Sequence, residues 1–392
     1  MKPLSKLVLL AVGIVPLVGA PVLAQAPDYD TIADNLVNGS LAVQPGETVV
    51  IGGGPSEIDL MAAIQVAVSK AGGQAVLTLN IPEANKRALL ETPIEHLKQL
   101  PTAGLLLGKI TDVFINVLSV EDPDLFADVP EERLAAFRQA GVPLTRAFNN
   151  MRFRSATLGQ TGGIPTVAYA ESVGADPEEI RTIFWQSVGV SADELTQKAT
   201  QVAALMTDGS EIRVTSAAGT DLTFKLDRFP ARINAGRTAD VRAARGPANV
   251  WLPAGEAYGC AHGASVSGTL VVPKTTFRGV KVENLELTFK KGRVSKMSAD
   301  SNSEMLEKFF AASSPKLKEL SVVSLGLNPH SRTPTGSSYY SWEMSGMVTL
   351  GLGNSSWAGC ENDSDAALTL HVPGTTLSIG GETVVKDGKL VK

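Results

Sequence analysis

Asn249-Val-Trp-Leu-Pro-Ala-Gly-Glu256-Ala-Tyr-Gly-Cys260-Ala-His262-Gly263 brings a carboxylate, a thiol and an imidazole within a few residues of one another. Pro253 restricts the residue before it to extended conformations, and Gly255, Gly259 and Gly263 let backbone approach closely. A long helix is excluded here. The next run, Ser265-Val-Ser-Gly-Thr-Leu-Val-Val272, alternates as a strand does. Glu256 is therefore expected in a loop leading into a sheet, a common position for a metal ligand or a general base. A plain surface turn is the competing reading.

Upstream of this stretch the pattern is βαβ. Thr48-Val-Val-Ile51 reads as a buried strand, residues 58–70 as a helix with Leu60, Ile64 and Val68 on one face, and residues 74–79 as the next strand. The rhythm continues through 97–108, 113–118 and 131–140, which predicts a doubly wound parallel sheet. Gly52-Gly-Gly-Pro55 follows a strand but fits neither the dinucleotide fingerprint nor the P-loop, so it reads as a tight turn. Residues 164–206 are helical in pattern, with Asp176-Pro177 and Ser191 as helix starts. After Gly209 short alternating runs dominate, interrupted by a helix over 303–312. The fold expected is α/β with two domains. Residues 28–206 form an N-terminal doubly wound parallel sheet, and 207–392 a C-terminal α+β domain with a mixed sheet.

Several segments recur in a known order. They are Val43-Gln-Pro-Gly-Glu-Thr-Val-Val-Ile51, Gly219-Thr-Asp-Leu-Thr-Phe224, Leu252-Pro-Ala-Gly-Glu256, Leu325-Gly-Leu-Asn328-Pro329, the late His371 and Val385-Lys-Asp-Gly-Lys-Leu-Val391. Together they resemble the aminopeptidase T family of metallopeptidases over nearly the whole chain after the N-terminal leader. The resemblance implies a homodimer and two divalent ions with a nucleophilic water between them. Two close cations lower the pKa of that water and stabilise the tetrahedral transition state. Of the family's ligands, the Glu of the Pro-x-Gly-Glu loop is Glu256. The bridging Glu column falls on Val322, a His column on Thr349, and the His-x-Asp pair on His371-Val-Pro373. Three of those columns carry no usable donor: Val322 has no lone pair, Pro373 cannot coordinate through its side chain, and neutral Thr is a poor ligand.

Other residues offer a different site. Asn328-Pro-His330 follows the strand that should carry the bridging Glu, and His262 lies close after Glu256. With His371 these make up to three imidazoles and a carboxylate, a set suited to one divalent ion (Zn, Co or Fe). The resemblance extends to an iron dioxygenase that cleaves dihydroxypyridine rings, so single-ion chemistry is compatible with the fold it implies. Hydrogen-bonded histidines without a metal are the competing reading, and His96, in a charged helix-like segment, receives only that one. The resemblance also brings Cys260 and Cys360, the latter in Trp357-Ala-Gly-Cys360-Glu-Asn-Asp-Ser364, to one cavity. A disulfide is then expected, with thiolate ligation beside His262 as the alternative. Glu343, Glu361 and Asp363 are further polar candidates for the site, with solvated loop charges as the reading preferred for them.

A net charge of -5 with scattered basic residues argues against nucleic acid as a partner. Lys2 and Lys6, the apolar run 7–18 and Val22-Leu-Ala24 before Gln25 read as a secretory signal over 1–24, cleaved after Ala24. This predicts a periplasmic or secreted protein with no membrane association after cleavage. No Gly-x-Ser-x-Gly elbow is present, and Cys260 with His262 is the one thiol–imidazole pair for a nucleophilic hydrolase. Three functions remain open: an exported aminopeptidase-like hydrolase with a degenerate two-metal site acting on peptides, a mononuclear metal enzyme acting on a small molecule, and a catalytically silent binding homologue.

Overall fold

The computed structural model describes residues 27–159, 162–240 and 248–391. The expected signal segment and its cleavage site at Ala24 lie outside the described residues.

Strands β1 (Thr48–Gly53), β2 (Gln74–Leu79), β3 (Val113–Val117), β4 (Arg154–Leu158) and β8 (Ala248–Leu252) form one sheet in the order β2-β1-β3-β4-β8. Every pairing in it is parallel. Val49, Ile51, Val113, Ile115, Val117, Ala156 and Val250 are buried in it, against Leu60, Ile64 and Val68 of the helix Ile58–Lys70. Each such aliphatic side chain contributes roughly 1.5–3 kcal/mol by leaving water. Gly52-Gly53 closes β1 and a short 3-10 turn, Pro55–Glu57, leads into the helix, so the Gly-Gly-Gly-Pro stretch is a βα turn.

The rest of the chain is β-rich. β5 (Glu211–Ser216), β6 (Asp221–Lys225), β10 (Ser267–Phe277), β11 (Val280–Lys290), β12 (Arg293–Ser298), β16 (Thr375–Ile379), β17 (Glu382–Lys386) and β18 (Lys389–Leu390) make an eight-stranded sheet. β7 (Arg232–Asn234), β9 (Glu256–Cys260), β13 (Leu320–Gly326), β14 (Val348–Gly353) and β15 (Ala367–Val372) make a five-stranded sheet in the order β15-β14-β13-β9-β7. The expected helix over 303–312 is present as Ser303–Ala312.

The α/β class is as expected, and two details differ. The second half carries two antiparallel sheets in place of one mixed sheet. The division near residue 207 also marks only a change of pattern, because β8 returns to the parallel sheet and pairs with β4 in register, Val250 against Ala156. One hydrophobic cluster runs continuously from Val49 of β1 to Leu350 of β14.

Candidate functional site

The five-stranded sheet carries Glu256, Val322, Thr349 and His371, four of the residues at the columns the resemblance names, and Pro373 follows directly after β15. All residues of β9, β13 and β14 are buried, which explains why Leu320–Gly326 and Val348–Gly353 read as near-continuous apolar runs. Glu256 is thus not in a loop. It opens β9, paired with Asn234 on one side and Gly326 on the other, and is wholly buried. Asn234 Nδ2 donates to its Oε1 at 3.4 Å.

Register places partners on a common face. One row reads His371, Thr349, Ser324, Tyr258, Arg232, and the next reads Thr369, Gly351, Val322, Cys260. Val322, at the column where the resemblance expects a bridging carboxylate, lies between Cys260 and Gly351. Val322 packs with Tyr258, Cys260, Trp342, Ala358 and Cys360. Cys260 and Cys360 are joined as a disulfide, with Cα atoms 5.5 Å apart, so neither thiolate is available to a metal. Aromatic rings finish this layer: Trp357 lies 5.0 Å from Trp251, 5.5 Å from Tyr258 and 5.8 Å from Trp342 between ring centroids.

His371 stands at the edge of this layer on β15. Its Nδ1 is bonded to Thr349 Oγ1 at 2.9 Å, and its ring meets Trp342 edge-to-face at 6.0 Å. Burial pushes its pKa down to about 3, because a charged imidazole here would lose hydration without gaining a counter-charge. The imidazole is therefore neutral at physiological pH. Thr349, standing where the family has a His, is committed to the same hydrogen bond.

The four expected ligands do not converge. Glu256 and His371 sit three strand spacings apart, roughly 14 Å along the sheet. Metal–ligand bonds of roughly 2 Å do not close that gap with one ion. His262 lies beyond the opposite end of β9 from Glu256, exposed, with Nδ1 3.9 Å from Asp227 Oδ2. His330 is exposed after β13, its backbone N–H donating to Asn328 Oδ1 at 3.0 Å. Among the described residues, no group of three or more His, Cys, Asp or Glu could hold a metal ion. The single-ion expectation built on Glu256, His371, His330 and His262 is therefore not met. The resemblance puts Val322, Thr349 and Pro373 at three of the family's ligand columns, and none of these side chains would bridge two ions. Glu319 offers no substitute, since it pairs with Arg293 before β13 begins. His96, as expected, shares only an exposed hydrogen bond with Gln99.

One carboxylate that the sequence offered as a site candidate but read more readily as a solvated loop charge is buried. Glu343 is fully buried, with Ser331 Oγ donating to Oε1 at 2.8 Å and Ser341 Oγ donating to Oε2. Desolvation raises its pKa. Glu361 and Asp363 are, as expected, charges of the surface loop, paired with Arg228 and with Arg146 and Lys316.

Two adjoining cavities open over the aromatic layer. One of about 320 Å³ is lined by Tyr169, Tyr339, Tyr340, Trp342, Lys274 and His371 among others. The other, about 290 Å³, is walled by Trp251, Trp357 and Val322 and shares Trp342 and Thr369 with the first.

The sequence profile of the thermophilic metalloprotease (M29) family matches residues 26–333. No curated protein matches the chain. Among solved structures, wild-type AmpT from Thermus thermophilus is similar at 14% identity and a TM-score of 0.71, covering 93% of this chain and 99% of that one. A 2,5-dihydroxypyridine dioxygenase from Pseudomonas putida KT2440 is similar at 16% identity and a TM-score of 0.59, covering 93% and 96%. Those likenesses concern the fold, and the profile covers well over half of the sequence: the chain belongs to the thermophilic metalloprotease (M29) family.

Proposed function

We propose that this protein is an exported, ligand-binding member of the family that has lost the two-ion hydrolytic centre. The observation that carries the reading is the Val322 column. Where a bridging carboxylate would neutralise two cations, an aliphatic side chain packs against a disulfide and the aromatic side chains of Tyr258 and Trp342. Two divalent ions a few ångströms apart repel strongly without such a bridge. The cleft keeps the scaffold's position but offers rings, hydroxyls and a neutral imidazole, which suit binding rather than water activation. Export rests on the N-terminal segment, with the chain beginning at Gln25 after cleavage; N-terminal sequencing of material from the periplasm or medium checks it. A homodimer is expected from the family resemblance, and light scattering across concentrations tests that.

The functional test is aminopeptidase assay of the purified protein with Leu-p-nitroanilide, with and without added Zn²⁺ or Co²⁺. No turnover above buffer is expected under either condition. Metal-stimulated, chelator-sensitive release of p-nitroaniline would instead establish a working peptidase and overturn the reading.

A further inference from the structure

We propose that the cavity beside His371 is a binding site for a small aromatic carboxylate, with Lys274 taking the carboxylate and the rings of Tyr169, Tyr339 and Trp342 taking the aromatic body. This rests on the reading of the cleft as a binding site and names its ligand class. A volume of about 320 Å³ falls at the small end of ligand pockets, the size for a single-ring molecule.

Tyr169, Tyr339, Tyr340 and Trp342 supply aromatic wall beside the hydroxyls of Thr275, Thr276, Ser338 and Thr369, and the rings are set at the angles that rings prefer. Tyr169 and Tyr339 meet edge-to-face, 6.2 Å between centroids and 88° between planes. Trp342 stands perpendicular to His371. A ligand ring seated in the cavity beside these pairs makes the offset or edge contacts that add roughly 0.5–1.5 kcal/mol each beyond burial.

Charge selects the ligand further. Lys274 lies on β10 at the rim, exposed, and has no ion pair among the described residues. Glu283, its register partner on β11, makes none with it. An unpaired, hydrated ammonium at a cavity mouth attracts an anion without first breaking an internal salt bridge. Nothing inside the cavity opposes that anion strongly. Among the described residues its lining carries no carboxylate, and burial favours the neutral form of Glu343 behind Tyr339. Burial also raises the Tyr169 and Tyr339 hydroxyls, keeping both protonated as donors. Thr349 occupies His371 Nδ1, so Nε2 is the ring nitrogen left for a polar substituent on the ligand.

The test is calorimetric titration of the full chain with benzoate and 4-hydroxybenzoate, using benzamide as the uncharged control, on wild type and on Lys274→Met. Lys274 is an exposed rim residue, so thermal unfolding of the variant should match wild type. Saturable binding of benzoate is expected, at least tenfold weaker for benzamide and at least tenfold weaker in Lys274→Met. Absence of saturable benzoate binding to wild type, or equal affinity in Lys274→Met, would overturn the proposal. The peptidase assay is independent of this result. Metal-stimulated turnover alongside benzoate binding would remove the silent-homologue reading and leave the ligand site standing, whereas failed benzoate binding without turnover would do the reverse.

Discussion

Breaking the Cys260–Cys360 bond should cost this protein a large part of its stability. The two residues are 100 positions apart in sequence, and both sulfurs are buried in the layer over β9 and β13. Chain-entropy reasoning for a closed loop of that size gives about 4.7 kcal/mol at 25 °C, and losses on removing native bonds run to roughly 2–5 kcal/mol. The hydrophobic cluster is continuous between the parallel sheet and the five-stranded sheet, so unfolding should be read as one main transition. With a urea dependence of roughly 3 kcal/mol/M, the midpoint should fall by roughly 1–1.5 M on reduction. Tryptophan fluorescence is the appropriate signal, because Trp342 and Trp357 pack around the bond. Cys260→Ala/Cys360→Ala should lose at least as much, since it also removes two buried sulfur atoms. A reduced protein whose midpoint stays within about 0.2 M of the oxidised one would refute the loop-entropy argument. Two thiols titrating in unreduced protein would refute the bond itself.

Three further outcomes follow from the same geometry. His371 has a folded pKa below its ordinary value, so the folded state loses stability as pH falls from about 6.5 towards 3; its imidazole resonances should stay fixed between pH 7 and 4.5, and titration near pH 6 would contradict the buried environment. Glu343 is the opposite case: its folded pKa is raised, so stability contributed by the protonated form is lost as pH rises from 4.5 through that value. Glu343→Gln should flatten this part of the profile, and an unchanged pH dependence of the unfolding midpoint would count against it. Asn328 is wholly buried, with Nδ2 donating to Ser187 O at 2.9 Å and Ala254 O at 2.6 Å, and Oδ1 accepting from the backbone N–H groups of His330 and Ser331. Asn328→Ala should cost roughly 2–4 kcal/mol in chemical denaturation, whereas the exposed His330→Ala should cost under about 0.5.

The parallel sheet was legible because its strands are buried on both faces and read as short apolar runs between helices of clear period. Strands β8 and β9 were not. Pro253 and Gly255 suggest a loop, and Glu-Ala-Tyr-Gly-Cys carries none of the β-branched residues that mark a strand; only pairing with β7 and β13 makes it one. At the site, the proposed loss of donors at Val322, Thr349 and Pro373 is read from the residues once the family resemblance is seen. What replaces them is not. Trp251, Trp342 and Trp357 are far apart in sequence and meet only through the register of the sheet and the Cys260–Cys360 crosslink. Glu343 reads as a solvated loop charge for the same reason, since an acidic residue in a Ser-rich loop looks solvated until Ser331 and Ser341 close over it. The histidines misled in the other direction: three fell in segments expected near the site, yet His262 and His330 turn to solvent.

The most direct test of the central claim is the number of divalent ions held per chain. Protein purified without a histidine tag should be equilibrated with Zn²⁺ or Co²⁺, dialysed against metal-free buffer and measured by elemental analysis. The loss of donors at Val322, Thr349 and Pro373 predicts no ion retained in stoichiometric amount. Two tightly held ions per chain would contradict the account, because they would require a bridging carboxylate at a position this sequence fills with valine.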